Sequence, residues 1–372
     1  MVCVIVKILF IEPFFGGSHR EFALGFQQYS RHDVSLATLP DRFWKWRMRG
    51  AGVFFAEKIR NIEQFDLVFT CDMIDLTDLA ALVHGKLPPV VMYFHENQIS
   101  YPLSGYQRSQ GMQADLHPGF TNIVSAFAAD RVLFNSQFHF NDFMDAASAM
   151  IKKMPDFRPV WMLDEIRKKA QVLYPGCRFD NNARADLKKC NDPPLIIWNH
   201  RWEYDKKPEV FFKALETLKH KNIAFRLCVL GGGSGKTSEI FMQAQQRFRD
   251  EILVFGHVES REQYFQWLGQ GDIAVSCAIQ ENFGISIVEA VRCGCMPLLP
   301  CRLSYPEIIP QAFHSDVLYT AENQFAEKLC HMVVNHESYL PVRKKLSACM
   351  AGFSWENSIE QYDTLLDSMV KG

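Results

Sequence analysis

Short apolar runs alternate with amphipathic stretches along almost the whole chain, and this alternation limits the fold more than any other feature. A short apolar run flanked by turn residues is typical of a strand buried on both faces of a parallel sheet. In the first half of the chain, such runs lie at 5–11, 66–70, 90–94, 131–134 and 171–174, with helical patterns such as 19–29 and 120–128 between them. This order predicts a parallel α/β sheet.

The pattern restarts after Pro175, with predicted strands at 195–198, 225–230, 252–255, 272–276 and 296–299. Pro, Gly, Asn and Asp cluster in the intervening segment "LYPGCRFDNNARADLKKCNDPP", which marks a domain boundary. The 372 residues fit two domains of about 100–200 residues each. We therefore predict an α/β fold with two doubly wound, Rossmann-like domains and a ligand site in the cleft between them.

Composition excludes several classes of protein. The chain is 48% hydrophobic and carries a net charge of −2, so contact with nucleic acid must depend on a local basic patch. No apolar stretch approaches the roughly 20 residues that span a bilayer, and we interpret "MVCVIVKILFIEP" as a buried strand rather than a signal peptide. Eleven scattered cysteines favour reduced thiols in the cytoplasm, and the pair Cys293 and Cys295 is too small a set for zinc.

The segment "LGGGSGKTSE", at 230–239, looks like a phosphate-binding P-loop but does not have its spacing. Counting back from Gly235 places Leu230 where the first glycine belongs, and Gly231 leaves the loop one residue short. Asp272 begins a predicted strand, whereas a magnesium-binding Asp would end one. We interpret the segment as a glycine turn near the donor cleft rather than as the site of an NTPase.

The segment "CAIQENFGISIVEAVRCGCMPLL", at 277–299, is the most informative in the second half. Glu281 lies just before a predicted helix that opens near Gly284, and Glu289 lies inside that helix, with seven residues between the two. A helix start offers unpaired amides and a partial positive charge to a phosphate. Carboxylates on either side can accept hydrogen bonds from sugar hydroxyls, so the segment predicts a sugar-nucleotide site.

This segment resembles the E-x7-E signature of retaining glycosyltransferases of family 4, which have the GT-B fold of two facing Rossmann-like domains. "FGHVESREQYFQWLGQGDIAVSCA", "SYPEII", "FSWENSIEQYDTLL" and "WNHRWEYDKKPEVFFKAL" resemble other elements of that family, in the same order. In the first half, "EPFFGGSHREFALG", "PDRFWKWRMRGAGVFFA", "YFHENQISYPL" and "HPGFTNIVSAFAADRVLFNSQFHF" resemble the tRNA-queuosine mannosyltransferases. These motifs are longer and more specific than the shared ones.

The resemblance implies transfer of mannose from GDP-mannose to the cyclopentene-diol of queuosine at the wobble position of tRNA-Asp. It implies an acceptor domain at 1–178, a donor domain at 179–352, and a terminal helix at 353–372 that crosses back to the first domain. It also implies a cytoplasmic enzyme that uses no metal and no other cofactor. The alternatives are a related transferase with a lipid or small-glycan acceptor, and an RNA-binding protein that has lost transfer.

By resemblance, Arg201 and Lys206 grip the donor diphosphate in place of a metal, with Lys207 as an adjacent candidate; the alternative is a solvated basic helix start. Glu281 is expected at the transferred sugar and Glu289 at the ribose. The remaining donor contacts are Gly16, Gly17, Ser18, Val258, Glu259, Asn282, Phe283, Gly284 and Ile285. For the glycine loop the alternative is a helix capped by Ser18, and for Val258 and Glu259 it is an ordinary turn.

Polar residues after the predicted strand 90–94 are expected to face the acceptor. His95 is assigned to the sugar or the acceptor hydroxyl, although a lone histidine is often structural. The other acceptor residues are Glu96, Asn97, Gln98, Asp115 and His117. The resemblance implies that the leaving phosphate takes the acceptor proton, so no carboxylate is assigned as nucleophile; Glu96 or Asp115 would be the alternative.

Cations and aromatic residues interleave in "DRFWKWRMRG", at 41–50. Cations neutralise phosphates and aromatic rings stack on unpaired bases, so this patch is assigned to the tRNA. Its residues are Arg42, Trp44, Lys45, Trp46, Arg47 and Arg49. A solvated helix face and a membrane-surface patch are the alternatives, and we do not expect membrane binding.

Overall fold

The computed structural model describes residues 5–102, 115–179, 190–232 and 239–370. The chain divides into two compact units. The described residues of the first unit are 5–102, 115–178 and 353–370, and those of the second are 179, 190–232 and 239–352. Each unit contains one six-stranded sheet with helices packed against it.

The strands of the first unit are β1 (Lys7–Phe15), β2 (Asp33–Pro40), β3 (Leu67–Cys71), β4 (Val90–Phe94), β5 (Arg131–Phe134) and β6 (Ala170–Val172). Its helices are α1 (Gly17–Tyr29), α2 (Trp44–Lys58), α3 (Leu76–Leu82), α4 (Leu116–Ala128), α5 (Gln137–Lys152), α6 (Trp161–Lys169) and, at the end of the described chain, α15 (Trp355–Val370).

All strands of the first sheet are parallel, in the order β2-β1-β3-β4-β5-β6. The strand order reverses between β1 and β3, which is where ligands bind in doubly wound sheets. β3 and β4 are buried along their whole length, because helices cover both faces of the sheet. This two-sided burial explains why their sequences are continuous apolar runs.

Helix α15 belongs to the first unit although it comes from the other end of the chain. The Trp355 indole packs so closely on Gly25 that a Cβ there would lie 1.9 Å from its Nε1. Arg31 forms ion pairs with Glu360 at 3.0 Å and with Asp367 at 2.8 Å. Buried aromatic contacts, with these ion pairs at the rim, therefore hold the helix on the sheet.

The strands of the second unit are β7 (Leu195–Asn199), β8 (Arg226–Leu230), β9 (Ile252–Gly256), β10 (Ile273–Val275), β11 (Met296–Pro300) and β12 (Leu318–Tyr319). Its helices are α7 (Pro208–His220), α8 (Glu239–Arg247), α9 (Arg261–Gln270), α10 (Ile285–Arg292), α11 (Tyr305–Ile308), α12 (His314–Val317), α13 (Glu322–Val334) and α14 (Leu340–Met350). The sheet order is β12-β11-β10-β7-β8-β9, so it reverses between β7 and β10.

The predicted strands are present, and two further strands lie at or near the sheet edges. Val34 is the one fully buried residue of β2, and β12 has only two residues, so neither strand produces a continuous apolar run. Asp272 precedes β10 and pairs with Arg343 at 2.9 Å. No helix in the described ranges is long and apolar enough to cross a membrane.

The glycine turn after β8 has a backbone explanation at Gly231. Its φ is +110°, and a Cβ there would lie 2.2 Å from the carbonyl oxygen of His200. Only glycine tolerates both the conformation and the close approach. Gly233 and Lys236 of the same segment lie outside the described residues.

Candidate functional site

The candidate site of the second unit lies at the carboxyl ends of β7 and β10, where the strand order reverses. His200 and Arg201 directly follow β7, and a short 3-10 turn, Tyr204–Lys206, brings Lys206 back toward the segment after β10. Residues separated by about 75 positions in sequence thus meet at one sheet edge.

Lys206 lies in a buried cluster of charges. Its Nζ donates to the carbonyl oxygen of Gln280 at 2.6 Å and lies 3.4 Å from Oε2 of Glu281 and 3.1 Å from Oδ2 of Asp205. Burial lowers the pKa of Lys206, but the two carboxylates outweigh this and leave the pKa raised. The ammonium group is therefore charged and only 7% exposed, so the alternative of a solvated helix start is wrong for this residue.

Glu281 is the carboxylate partner in this cluster. Burial raises the pKa of Glu281, but the positive charges of Lys206 and Arg201 bring the pKa below its usual value. Burial lowers the pKa of His200 to about 4, and Lys206 adds to that shift. His200 is therefore neutral and donates from Nε2 to the carbonyl oxygen of Val275 at 3.1 Å. The sequence signal for His200 was only its position beside Arg201.

Arg201 and Lys207 lie nearer the solvent. The Arg201 side chain is 60% exposed and its guanidinium lies 3.7 Å from Glu203. Lys207 has a positive φ of 52°, precedes α7 and pairs with Glu209 at 3.1 Å. Of these two cations, Arg201 is the one that lies just after the end of β7, and most of its side chain is exposed there.

Helix α10 begins after Gly284, whose φ is +95°. A Cβ at this position would lie 3.2 Å from the Tyr305 ring, so glycine serves both the turn and the packing. Within the described residues, no side chain caps this N-terminus, and the amides of Ile285 and Ser286 are available to an anion, whereas those of Ile287 and Val288 donate to the Gly284 carbonyl oxygen. Asn282 and Phe283 are buried in the turn, and the Phe283 carbonyl accepts from Ser304 at 2.8 Å.

Glu289 lies inside α10 and is 4% exposed. Arg261 donates to its Oε1 at 2.7 Å and the Tyr264 hydroxyl donates to its Oε2 at 3.0 Å. Tyr264 in turn accepts from Asn199 at 3.0 Å. The carboxylate is thus fixed by a network that links α9, α10 and the end of β7, and the sequence motif did not predict Arg261 or Tyr264.

Val258 and Glu259 lie in the turn before α9. Val258 packs partly buried against the core of this unit. The Glu259 amide donates to Oε1 of Gln263 at 3.3 Å, and the Ser260 side chain caps the helix. These contacts account for the turn without a ligand.

The candidate site of the first unit lies at the carboxyl ends of β1, β3 and β4. Asp72 follows β3 and accepts a hydrogen bond on Oδ1 from the His95 amide at 2.8 Å. His19, on α1, lies beside His95 with ring centroids 4.1 Å apart. Its Nδ1 is 3.2 Å from Oε2 of Glu12, which is fully buried in β1. We call Glu12, His19, Asp72 and His95 the histidine cluster.

The two imidazoles of the histidine cluster differ in charge. Burial lowers the pKa of His19, but the Glu12 carboxylate more than compensates and raises it to about 9. Burial lowers the pKa of His95 well below its usual range, and the charged His19 and nearby His139 lower it further. Burial raises the pKa of Asp72 to about 7 against the opposing effect of His19. A charged imidazolium therefore lies against a neutral imidazole.

Glu12, His19 and Cys71 bring possible metal ligands within 4.8 Å of one another. Their direct contacts explain the grouping, because His19 pairs with Glu12 and the Cys71 thiol donates to Oε1 of Glu12 at 3.3 Å. Burial and the Glu12 charge raise the pKa of Cys71 well above its usual value, which keeps it a thiol. Metals bind the thiolate, so this set does not fit a metal centre.

Asn97, predicted to contact the acceptor, is fully buried and shapes its own loop. Its side-chain oxygen accepts from the amides of Ile99 and Ser100 at 3.2 and 3.1 Å, and its nitrogen donates to Asp142. Glu96 and Gln98 are half-buried and bonded to each other at 3.3 Å. The loop is therefore held from within, and these two side chains remain its accessible polar groups.

Asp115 and His117 lie at the start of α4 and are exposed. Asp115 caps this helix by accepting from the His117 amide at 3.2 Å, and its other oxygen lies 3.6 Å from Lys45 of α2. The structure thus places them next to the basic–aromatic patch.

The glycine loop after β1 differs in detail from its prediction. Gly16 is the N-cap of α1, Gly17 is its first residue with φ of +49°, and no side chain in the described part of the chain caps the helix. Ser18 lies inside the first turn, so the alternative of a Ser18-capped helix is wrong. A Cβ on Gly16 would lie 2.0 Å from Oδ2 of Asp41, so a larger residue at this position would collide with the Asp41 side chain.

The basic–aromatic patch forms the start of α2. Phe43 is 73% exposed and Trp46 is 66% exposed. Lys45 lies over the Trp44 ring at 5.6 Å and Arg42 over the Phe43 ring at 5.9 Å. Cations and aromatic faces are thus presented together to solvent.

Two arginines of this segment have internal partners. Arg47 donates to the carbonyl oxygen of Pro40 at 3.2 Å. Arg49 pairs with Asp75 at 2.5 Å and lies 3.8 Å from Asp78, which ties α2 to α3. The continuously exposed part of the patch runs from Arg42 to Trp46. Arg49 is also exposed, at 59%, but its ion pairs give it a structural role that the sequence pattern did not reveal.

Comparisons with known proteins agree with both halves of this description. Residues 7–177 match the family described as "tRNA-queuosine alpha-mannosyltransferase N-terminal", and residues 179–340 match "Glycosyl transferases group 1". The tRNA-queuosine alpha-mannosyltransferase of Drosophila melanogaster is 35% identical over 346 residues, which cover 88% of this chain and 87% of the relative.

Two solved structures show the fold. Anabaena HepE in complex with UDP aligns with a TM-score of 0.68 at 15% identity, over 97% of this chain and all of that one. Sucrose-phosphate synthase from Thermosynechococcus elongatus aligns with a TM-score of 0.73 at 13% identity, over 98% and 99% of the two chains. The predicted GT-B fold is confirmed. The chain is a glycosyltransferase and belongs to the tRNA-queuosine alpha-mannosyltransferase family.

Proposed function

We propose that this enzyme transfers mannose from GDP-mannose to the cyclopentene-diol of queuosine in tRNA-Asp, in the cytoplasm and without a metal ion. The observation that carries the proposal is the buried Lys206–Glu281 pair, 3.4 Å apart, directly before the uncapped start of α10. Fixed positive charge, unpaired amides and a carboxylate in one place suit a sugar diphosphate.

In this proposal, Arg201 and the first-turn amides of α10 bind the diphosphate, and Lys206 supplies a fixed charge beneath it. Positive charge placed before the reaction stabilises the negative charge that develops on the leaving phosphate, which is the task a metal ion performs elsewhere. Glu281, held ionised by Lys206, accepts from hydroxyls of the transferred sugar. Glu289, held by Arg261 and Tyr264, is assigned to the ribose.

The proposed reaction retains configuration without a protein nucleophile. The carbon–oxygen bond to the leaving diphosphate breaks, the acceptor hydroxyl attacks on the same face, and its proton passes to the leaving phosphate. His95, with Glu96 and Gln98 beside it, is assigned to the hydroxyls of sugar and acceptor. A neutral imidazole suits this task because it can accept a hydrogen bond as well as donate one.

The tRNA is assigned to the patch from Arg42 to Trp46, with Asp115 and His117 at its border. Exposed aromatic rings can stack on the unpaired bases of an anticodon loop, and the cations can neutralise its phosphates. The name of the Drosophila relative supports the same acceptor.

The test uses tRNA-Asp with and without queuosine, and GDP-mannose labelled in the sugar, in buffer containing EDTA. We expect label in the queuosine tRNA only, at the same rate after extensive EDTA treatment. Equal labelling of tRNA that lacks queuosine would contradict the acceptor assignment, and loss of all turnover with EDTA would contradict the absence of a metal.

A lipid acceptor is the second candidate, because Phe43 and Trp46 are exposed aromatic side chains. Such side chains can insert into a membrane surface. Flotation with anionic vesicles and gel shift with tRNA, each at several salt concentrations, separate the two. Our proposal expects tRNA binding that weakens steeply with salt and no flotation.

A further inference from the structure

We propose that Glu12, His19, Asp72 and Asn135 are positioning residues that hold the His95 imidazole in place for sugar transfer. This inference rests on the proposed function, in which His95 faces the reacting sugars. None of the four was predicted from the sequence, because they come from separate elements of the first unit.

The backbone of His95 is held from two sides. Its amide donates to Oδ1 of Asp72 at 2.8 Å, and its carbonyl oxygen accepts from Nδ2 of Asn135 at 2.8 Å. Asn135 is itself fixed, because its side-chain oxygen lies 2.8 Å from Nδ1 of His139. Asp72 follows β3 and Asn135 follows β5, so the strands on either side of β4 fix the residue that follows it.

The imidazole ring of His95 is held by aromatic contacts. The His19 ring lies 4.1 Å from it at an angle of 39°, and the rings of Phe22 and Tyr93 contact it edge to face at 4.9 and 4.8 Å. His19 is fixed by its pair with Glu12, and Glu12 accepts from the Phe14 amide at 2.8 Å. The position of the His95 ring thus depends on a chain of contacts that starts inside β1.

The charge of His19 adds an electrostatic role. Three carboxylates act on it, Glu12 from β1, Asp72 from the end of β3 and Glu96 from the loop after β4, while His95 is the neutral ring it contacts. A positive charge held against a neutral imidazole opposes protonation of that imidazole. Burial already keeps His95 neutral, so the charge of His19 matters mainly for the ion pair with Glu12 that fixes the His19 ring, and this ion pair is lost when His19 loses its proton.

Two substitutions test this, His19→Gln and Glu12→Gln, each of similar size to the residue it replaces and each removing one charge of the pair. We expect kcat to fall by about 10- to 100-fold, as for the loss of residues that orient a functional group, with KM for both substrates changed by less than about twofold. Thr77→Ala, on α3 and away from the cluster, serves as the matched control and should keep the activity of the natural sequence.

The pH dependence distinguishes positioning from a general structural role. In the natural enzyme, kcat should fall as the pH rises through about 9, where His19 loses its proton. In His19→Gln this fall should be absent, and the remaining activity should be flat across the same range. An unchanged kcat, or the same alkaline fall in His19→Gln, would overturn the proposal.

A readout without catalysis separates this inference from the proposed function. The full chain labelled with 15N-histidine should show one ring titrating near pH 9. That signal should be absent in His19→Gln and should titrate at a lower pH in Glu12→Gln. If the natural enzyme fails to glycosylate queuosine tRNA while the titration is as expected, the proposed function fails alone. If no ring titrates near 9, the inference fails whatever the activity.

Discussion

The two candidate sites use charge in opposite ways. In the second unit, Lys206 is a buried cation between the carboxylates of Asp205 and Glu281. The exposed Arg201 precedes Lys206 in the chain, and the start of α10 follows Glu281. In the first unit, the charged ring of His19 is buried against the neutral imidazole of His95. In our proposal, the surrounding groups hold His95 in position. One site is suited to stabilise a charged leaving group, and the other to present a neutral hydrogen-bonding group.

The largest effect is expected from Lys206→Ala, which removes the cation of the second unit. Transfer should fall by more than about 1000-fold, and unfolding by urea should show a loss of about 3–5 kcal/mol, because Asp205 and Glu281 lose the partner of a buried pair. Lys207→Ala is the matched control, since Lys207 pairs only at the surface with Glu209. Equal effects of the two substitutions would show that burial of the charge is unimportant.

Glu281→Gln should have the next largest effect. A neutral amide cannot pair with Lys206, and we expect kcat to fall by about 100- to 1000-fold, a loss of the size reported for single electrostatic groups in active sites. Glu289→Gln should act mainly on KM for the donor, because Glu289 is assigned to the ribose. Steady-state kinetics over donor concentration check both. A reversed pattern, with kcat lowered by Glu289→Gln alone, would exchange the two assignments.

The buried charge of His19, in the first unit, should make the stability of the protein depend on pH. His19 has a folded pKa of about 9 and an unfolded value of 6.5, so its contribution is complete below about pH 6.5 and is lost as the pH rises through 9. The shift corresponds to about 3 kcal/mol. Urea unfolding of the natural sequence and of His19→Gln, from pH 6 to 10, isolates this contribution. A difference between them that does not change with pH would contradict it.

The smallest effect is expected at the exposed patch, where groups act singly and in water. Trp46→Ala should weaken tRNA binding by about 1–3 kcal/mol, the value of one stacked base, and leave the salt dependence unchanged. Arg42→Ala should instead reduce the slope of affinity against salt. Gel shifts at several salt concentrations separate the two, and Arg49→Ala should show mainly a loss of stability.

The comparison also explains what the sequence could predict. Glu281, Gly284 and Glu289 lie within one short segment, and Arg201 and Lys206 within another, so the resemblance of short motifs to a family is enough to single them out. The histidine cluster comes from β1, α1 and the ends of β3 and β4, and the amide of His95 bonds to Asp72, 23 positions earlier in the chain. No local spacing reveals such a set, and only the parallel order of the strands brings it together.

Single residues have structural roles that the sequence did not reveal, and the reason is the same. Asn97 and Arg49 have the polarity expected of ligand-binding residues, but tertiary contacts use that polarity to shape a loop and to join two helices. Ser18 follows two glycines as a cap would, yet the N-cap lies two residues earlier, at Gly16, and Ser18 lies inside the first turn of the helix. Residue type predicts that a polar group will find a partner, and the fold decides which partner it finds.

The most direct test of the central claim is one incubation of the purified enzyme with queuosine-containing tRNA-Asp and each of several sugar nucleotides, followed by mass spectrometry of the nucleosides. Our account predicts queuosine that has gained one hexose, with GDP-mannose as the donor. Queuosine left unchanged with GDP-mannose, or modified only from another sugar nucleotide, would contradict it.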